Sequence, residues 1–169
     1  MAISTIGSDG LASSSVGSTQ LASSSVTRAK IGYAGAVLQV VNATYSTETT
    51  TTSSTFVDVG LSASITPTAS TSKILVMLSS NGLSNNAGNT GLSIQVLRGA
   101  SVIFTTDIGA AYQTADNDSA GSSGNYLDSP ATTSSTTYKV QFKRYTGAGT
   151  SKINHYGTTS FLTLLEIAG

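Results

Sequence analysis

Few residues in this chain have the type and spacing to do chemistry. His155 is the single histidine, set in "KINHYG" (Lys152–Gly157). Serines and aspartates are plentiful enough to complete a Ser-His-Asp set on paper. A nucleophile of that kind needs a strand-to-helix elbow such as G-x-S-x-G, and the text around His155 is a turn beside a strand. His155 is read as a surface or interface polar group, and no catalytic residue is assigned.

The run Asp116-Asn117-Asp118 offers oxygens to calcium. Its ligands are adjacent rather than at alternate positions, and no glutamate closes the loop. It reads as a solvated loop, so neither a metal nor a cofactor is expected. Gly147-Ala148-Gly149 lacks the strand–helix setting of a phosphate loop. Glycoside hydrolysis needs paired carboxylates; the only glutamates are Glu48 and Glu166, and Glu166 lies in an apolar terminal run. A polysaccharide-cleaving enzyme is therefore disfavoured.

Tyrosines remain. Tyr112, Tyr126, Tyr138, Tyr145 and Tyr156 fall in or beside loops and strand ends. A tyrosine ring packs while its hydroxyl hydrogen-bonds, which suits sheet edges, subunit contacts and saccharide or protein ligands alike. Tyr112, Tyr126 and Tyr156, with Asp116 and Asn117, are the candidate surface-ligand contacts.

The elements that position these residues are extended. Charged residues make up 9% of the 169-residue chain, against about 25% in ordinary soluble proteins. Ser, Thr, Asn and Gly take their place, and eight basic residues balance eight acidic ones. That leaves no basic stripe for nucleic acid, and it lowers repulsion between identical neighbours. The chain has no cysteine, which excludes disulfides, thiolate metal sites and a cysteine nucleophile. "MAISTIGSDG" has neither the basic nor the apolar region of a signal peptide, and no run is long and apolar enough to cross a bilayer.

Residues 1–33 stand apart. LASSSV occurs at Leu11–Val16 and again at Leu21–Val26. Leu11, Val16, Leu21, Val26 and Ile31 recur every five residues, a period that fits neither helix nor strand. One small apolar contact per five residues cannot offset a backbone ordering cost of roughly 1–2 kcal/mol per residue. The segment is either a flexible linker or an arm or stalk that docks on a partner or on sister arms. The five apolar residues are the candidate docking contacts.

From Ala34 the text is all β. "FVDVGLSASITP" (Phe56–Pro67) places Val57, Val59, Leu61, Ala63 and Ile65 on one parity. "STTYKVQFKRYTG" (Ser135–Gly147) alternates Tyr138, Val140 and Phe142 with Lys139, Gln141 and Lys143. "LSIQVLRGASVIFTT" (Leu92–Thr106) reads as a hairpin turning near Gly99. "LSNNAGN" (Leu83–Asn89) reads as a turn and "TADNDSAGSSGN" (Thr114–Asn125) as a long polar loop. "SKILVMLSS" (Ser72–Ser80) and "SFLTLLEIA" (Ser160–Ala168) are apolar on both parities. Each is expected to be buried on both faces, with a second copy of the chain as the cover. Leu75, Met77, Leu162 and Leu164 are the candidate interface residues. Eight to ten short strands without a helix predict a β-sandwich of the jelly-roll kind.

Residues 36–169 resemble a family of small modules in tailed bacteriophages, cyanophages among them, found at the C-terminal ends of tail fibre proteins and among small virion proteins. "ITPTASTSKILV", "LRG", "SPATTSSTTYKVQF" and "LTLLEIA" carry the likeness, and "ASSSVTRAKI" resembles the linkers that precede such modules. The family's architecture is similar to the trimeric tumour-necrosis-factor/C1q-like jelly roll. The resemblance implies a homotrimeric jelly roll over residues 34–169 behind an extended N-terminal arm, within a virion assembled in the bacterial cytoplasm. It implies no catalytic residue. Two roles are open: a short tail fibre component that contacts a bacterial surface glycan or protein, or a cement protein that stabilises the phage head. The arm would then contact other virion proteins of the tail, baseplate or capsid.

Overall fold

The period-2 text of Phe56–Pro67 becomes strand β3 (Val57–Ile65) in the computed structural model, which describes residues 34–106, 110–113 and 119–169. Val59, Leu61, Ala63 and Ile65 point inward and are buried, while Asp58, Gly60, Ser62 and Ser64 face out. β9 (Thr136–Thr146) obeys the same rule, with Tyr138, Val140 and Phe142 in the core. The docking series Leu11 to Ile31, Asp116 and Asn117 lie outside the described residues.

The remaining strands are β1 (Val37–Tyr45), β2 (Thr49–Thr51), β4 (Lys73–Asn85), β5 (Thr90–Arg98), β6 (Ser101–Thr105), β7 (Ala110–Gln113), β8 (Ala120–Asp128), β10 (Ser151–Ile153) and β11 (Ser160–Ile167). Every pairing is antiparallel. One sheet has the order β1-β11-β4-β8, extended by β10 and β2 from the far end of β4; the other has the order β3-β9-β5-β6, with β7 also on β5. The chain passes repeatedly from one sheet to the other, which is the double Greek key of a jelly roll. The two inner faces meet in a core that includes Leu61, Ile74, Val76, Ile94, Phe142 and Leu162.

Two loop expectations are corrected. β4 runs on to Asn85, where the sequence read a turn from Leu83; Leu83 is buried, and the Asn85 side chain donates to the Thr90 carbonyl across the short connection. Ala120–Asn125, read as loop, is the first half of β8, because β4 offers it a ladder: Leu78 pairs with Gly124, Ser79 with Ser123 and Ser80 with Ser122. Gly124 is small for a reason: a Cβ there would lie 2.9 Å from Phe104 Cε2.

The outer face of Ser72–Ser80, which the sequence expects a second copy to cover, is open in the single chain. β4 is central, yet Met77 on its outer face is 43% exposed. The strand closed on both faces is β5, where outward Ser93 and Gln95 are buried and the Gln95 amide donates to Gln141 Oε1.

The register gives the sandwich two poles. Val37 pairs with Ile167 at one, Tyr45 with Ser160 at the other. At the first pole Gly35 N donates to the Ala168 carbonyl and Ala168 N to the Ala36 carbonyl, so the segment entering β1 is tied to the segment leaving β11. Glu166 closes this pole. Its buried carboxylate accepts from Thr68 N, Thr68 Oγ1 and Gln39 Nε2, each at 2.6 Å, fixing the crossover from β3 to β4.

Candidate functional site

The two outer faces of the sandwich differ in chemistry. On the β3-β9-β5 face the outward side chains satisfy one another. Gln141 Nε2 donates to Asp58 Oδ1, Gln95 Nε2 donates to Gln141 Oε1, and Lys139 Nζ donates to Asp58. The bonds from Gln141 and Lys139 hold the Asp58 carboxyl below its ordinary value. Lys143 lies over the Phe56 ring at 4.8 Å. Such a face is comfortable in water.

The β1-β11-β4-β8 face is not. Val40 pairs with Leu165, Leu165 with Leu75 and Leu75 with Leu127, so one apolar row crosses all four strands. Val40 is 59% exposed and Leu127 49%. Met77 and Phe161 extend the patch and, with Thr163, Ser79 and Asn125, line a shallow depression of about 280 Å³. A contiguous apolar patch on one face marks a surface that associates.

Leu75 and Met77 therefore lie where the sequence placed them, on the outer face. Leu162 and Leu164 do not: both are fully buried between the sheets, and Phe161, Thr163 and Leu165 are their outward neighbours. β11 is apolar on both parities, so its text could not say which parity faces in. The pairing of Leu162 with Leu78 and Leu164 with Val76, both core residues, decides it.

The pole opposite the Gly35–Ala168 tie carries the exposed aromatics. Tyr156 is 71% exposed, Tyr112 51% and Tyr145 49%. Tyr112 donates to Asn89 Oδ1 at 3.3 Å. Tyr126 does not join them. It sits on the free edge of β8 opposite Val76, its ring 6.2 Å from that of Phe104. Tyr138 is a core residue whose hydroxyl donates to Asp128 at 2.7 Å, and burial followed by that carboxylate pushes its phenol up. Asp128 also pairs with Arg98, a cluster that the sequence reading missed because its members lie on three different strands.

His155 belongs to a built turn. Asn154, fully buried, donates to the Thr47 carbonyl and accepts from Ser160 Oγ. Gly82, at φ +59°, lets β4 approach the turn; a Cβ there would lie 2.6 Å from His155 N. His155 Nδ1 lies 2.5 Å from Glu48 Oε2, and its ring centroid lies 3.8 Å from that of Tyr156 with the planes tilted by 38°. Among the described residues no serine hydroxyl reaches the imidazole, and no group of three or more His, Asp or Glu side chains is placed to hold a metal. No described helix is long and apolar enough to cross a membrane.

No protein-family model and no curated protein matches the chain. Among solved structures, it is similar to the VP2 protein of infectious bursal disease virus. The subviral particle gives a TM-score of 0.49 and 13% identity over 78% of this chain and 33% of that one. The Gx strain gives 0.49 and 14% over 78% and 32%. The chain thus spans about a third of the length of those proteins, and a likeness of this degree bears on neither function nor partners.

Proposed function

We propose that the protein is a structural component of a phage virion, a short tail fibre element that binds and does not catalyse. Residues 1–33 attach it to other virion proteins, and residues 34–169 form a homotrimeric jelly roll whose far pole contacts the bacterial surface. The observation that carries this reading is the asymmetry of the sandwich. One outer face is a self-satisfied polar ladder and the other an apolar row from Val40 to Leu127. Covering the apolar row with two further copies removes it from water, at about 25 cal/mol per Å². The polarity of the fold supports the same arrangement. Residue 34 enters at one pole, and Tyr112, Tyr145 and Tyr156 cluster at the other. Three copies present three such poles side by side, so weak contacts multiply through avidity.

The test is immunogold labelling of intact particles with antibody against residues 34–169. Label at the tail tip is the expected result. Label over the head overturns the fibre reading in favour of a decoration protein.

A further inference from the structure

The turn Asn154–Gly157 holds three left-handed residues: Asn154 at φ +59°, Tyr156 at +60° and Gly157 at +71°. Glycine adopts this conformation freely; a tyrosine adopts it only when its surroundings compel it. Here they do. Asn154 is bonded on both sides, Thr158 Oγ1 donates to the His155 carbonyl, and Gly82 leaves the turn no room to relax toward β4. The outcome is an aromatic ring held out at the tip of the pole.

The groups beside it suit a particular ligand. The His155 ring lies beside the tyrosine ring, tilted by 38°, and the 71% exposure of Tyr156 leaves ring surface free for a ligand. His155 also fixes Glu48 through Oε2, which leaves Oε1 as an acceptor with no donor among the described residues, on a side chain 41% exposed. A flat ring with a carboxylate one side chain away matches a pyranose, whose C–H face stacks on an aromatic and whose hydroxyls donate to an acceptor. The carboxylate disfavours an anionic sugar. A protein hot spot would need an apolar surround that excludes water; Thr47, Gly157 and Thr158 provide none.

From the joint placement of Tyr156, His155 and Glu48 we infer a binding subsite for a neutral saccharide residue, with Tyr156 as the stacking platform, Glu48 as the hydroxyl acceptor and His155 as the positioning residue. This inference rests on the reading of the far pole as the host-facing one.

The test uses the full chain on an array of immobilised bacterial polysaccharides, intact or oxidised by periodate. Tyr156→Gly is the informative variant, because glycine removes the ring and relieves the backbone. Wild type should bind at least one intact polysaccharide and none after oxidation. Tyr156→Gly should weaken binding about tenfold or more while melting at the same temperature or higher. Glu48→Gln should weaken it about three- to tenfold. Unchanged saccharide binding by Tyr156→Gly overturns the subsite, as does a lower melting temperature, which would make the ring a packing element. Wild type that binds cells but no polysaccharide also overturns it, and tail-tip labelling of particles would then leave the fibre reading standing.

Discussion

Glu166 is a buried carboxylate that bridges strand and crossover at the N-terminal pole. Burial alone would raise its carboxyl; the bonds from Thr68 and Gln39 outweigh this and hold it below the ordinary glutamate value. A depressed folded-state value stabilises the fold above the unfolded glutamate value of about 4.3, and the stabilisation is lost as pH falls through the lower folded value. Melting temperature should therefore drop on acidification in that window. Glu166→Gln turns an amide donor toward groups that are already donors. It should cost roughly 1–3 kcal/mol at neutral pH and flatten the acid limb of a melting-temperature series. Asp58 shifts in the same direction, but it is exposed and adds little. Equal acid sensitivity in the variant would mean that the clamp is not the titrating group.

At the scale of the strand, legibility follows from alternation. β3 and β9 were readable because polar and apolar residues alternate, so composition names the inward parity. β11 was readable as a strand but not as a face, because Leu162, Leu164, Leu165 and Ile167 occupy both parities. β8 was missed because Gly121, Ser122, Ser123 and Gly124 read as a loop, while the β4 ladder alone holds them extended. The Glu48–His155–Tyr156 turn was missed as a unit because Glu48 lies 107 residues from His155 in the chain. The parity of β11 has a sharp experimental consequence. Leu164→Asp puts an unpaired carboxylate in the core and should abolish folding, a loss of more than about 4 kcal/mol. Leu165→Asp, one residue on, should leave circular dichroism and melting of the isolated subunit near wild type and abolish association in sedimentation. A folded Leu164→Asp protein would reverse this assignment of faces.

At the scale of the molecule, the proposed homotrimer would be a concentration-linked state. If the row from Val40 to Leu127 is covered by sister copies, melting temperature should rise with protein concentration, since association stabilises by mass action. Deleting residues 1–33 should keep that dependence intact and abolish incorporation into particles. A truncated chain that still incorporates would make the segment a linker, and one that melts without concentration dependence would make it the assembly stalk.

The tie between Gly35 and Ala168 has a consequence beyond this chain. A sandwich whose first and last strands are joined by such a bond brings its own entry and exit points together. Such a cartridge can follow a shaft, but it can equally be spliced into a surface loop of an unrelated protein, since the host need open only a narrow gap to receive it. The same tie makes the sandwich a candidate for circular permutation: joining Ala34 to Gly169 with a short glycine-rich bridge should allow new termini at the Gly99-Ala100 turn between β5 and β6. Recombination between genomes could move a module of this kind from one protein to another as a whole, with no adjustment of its core.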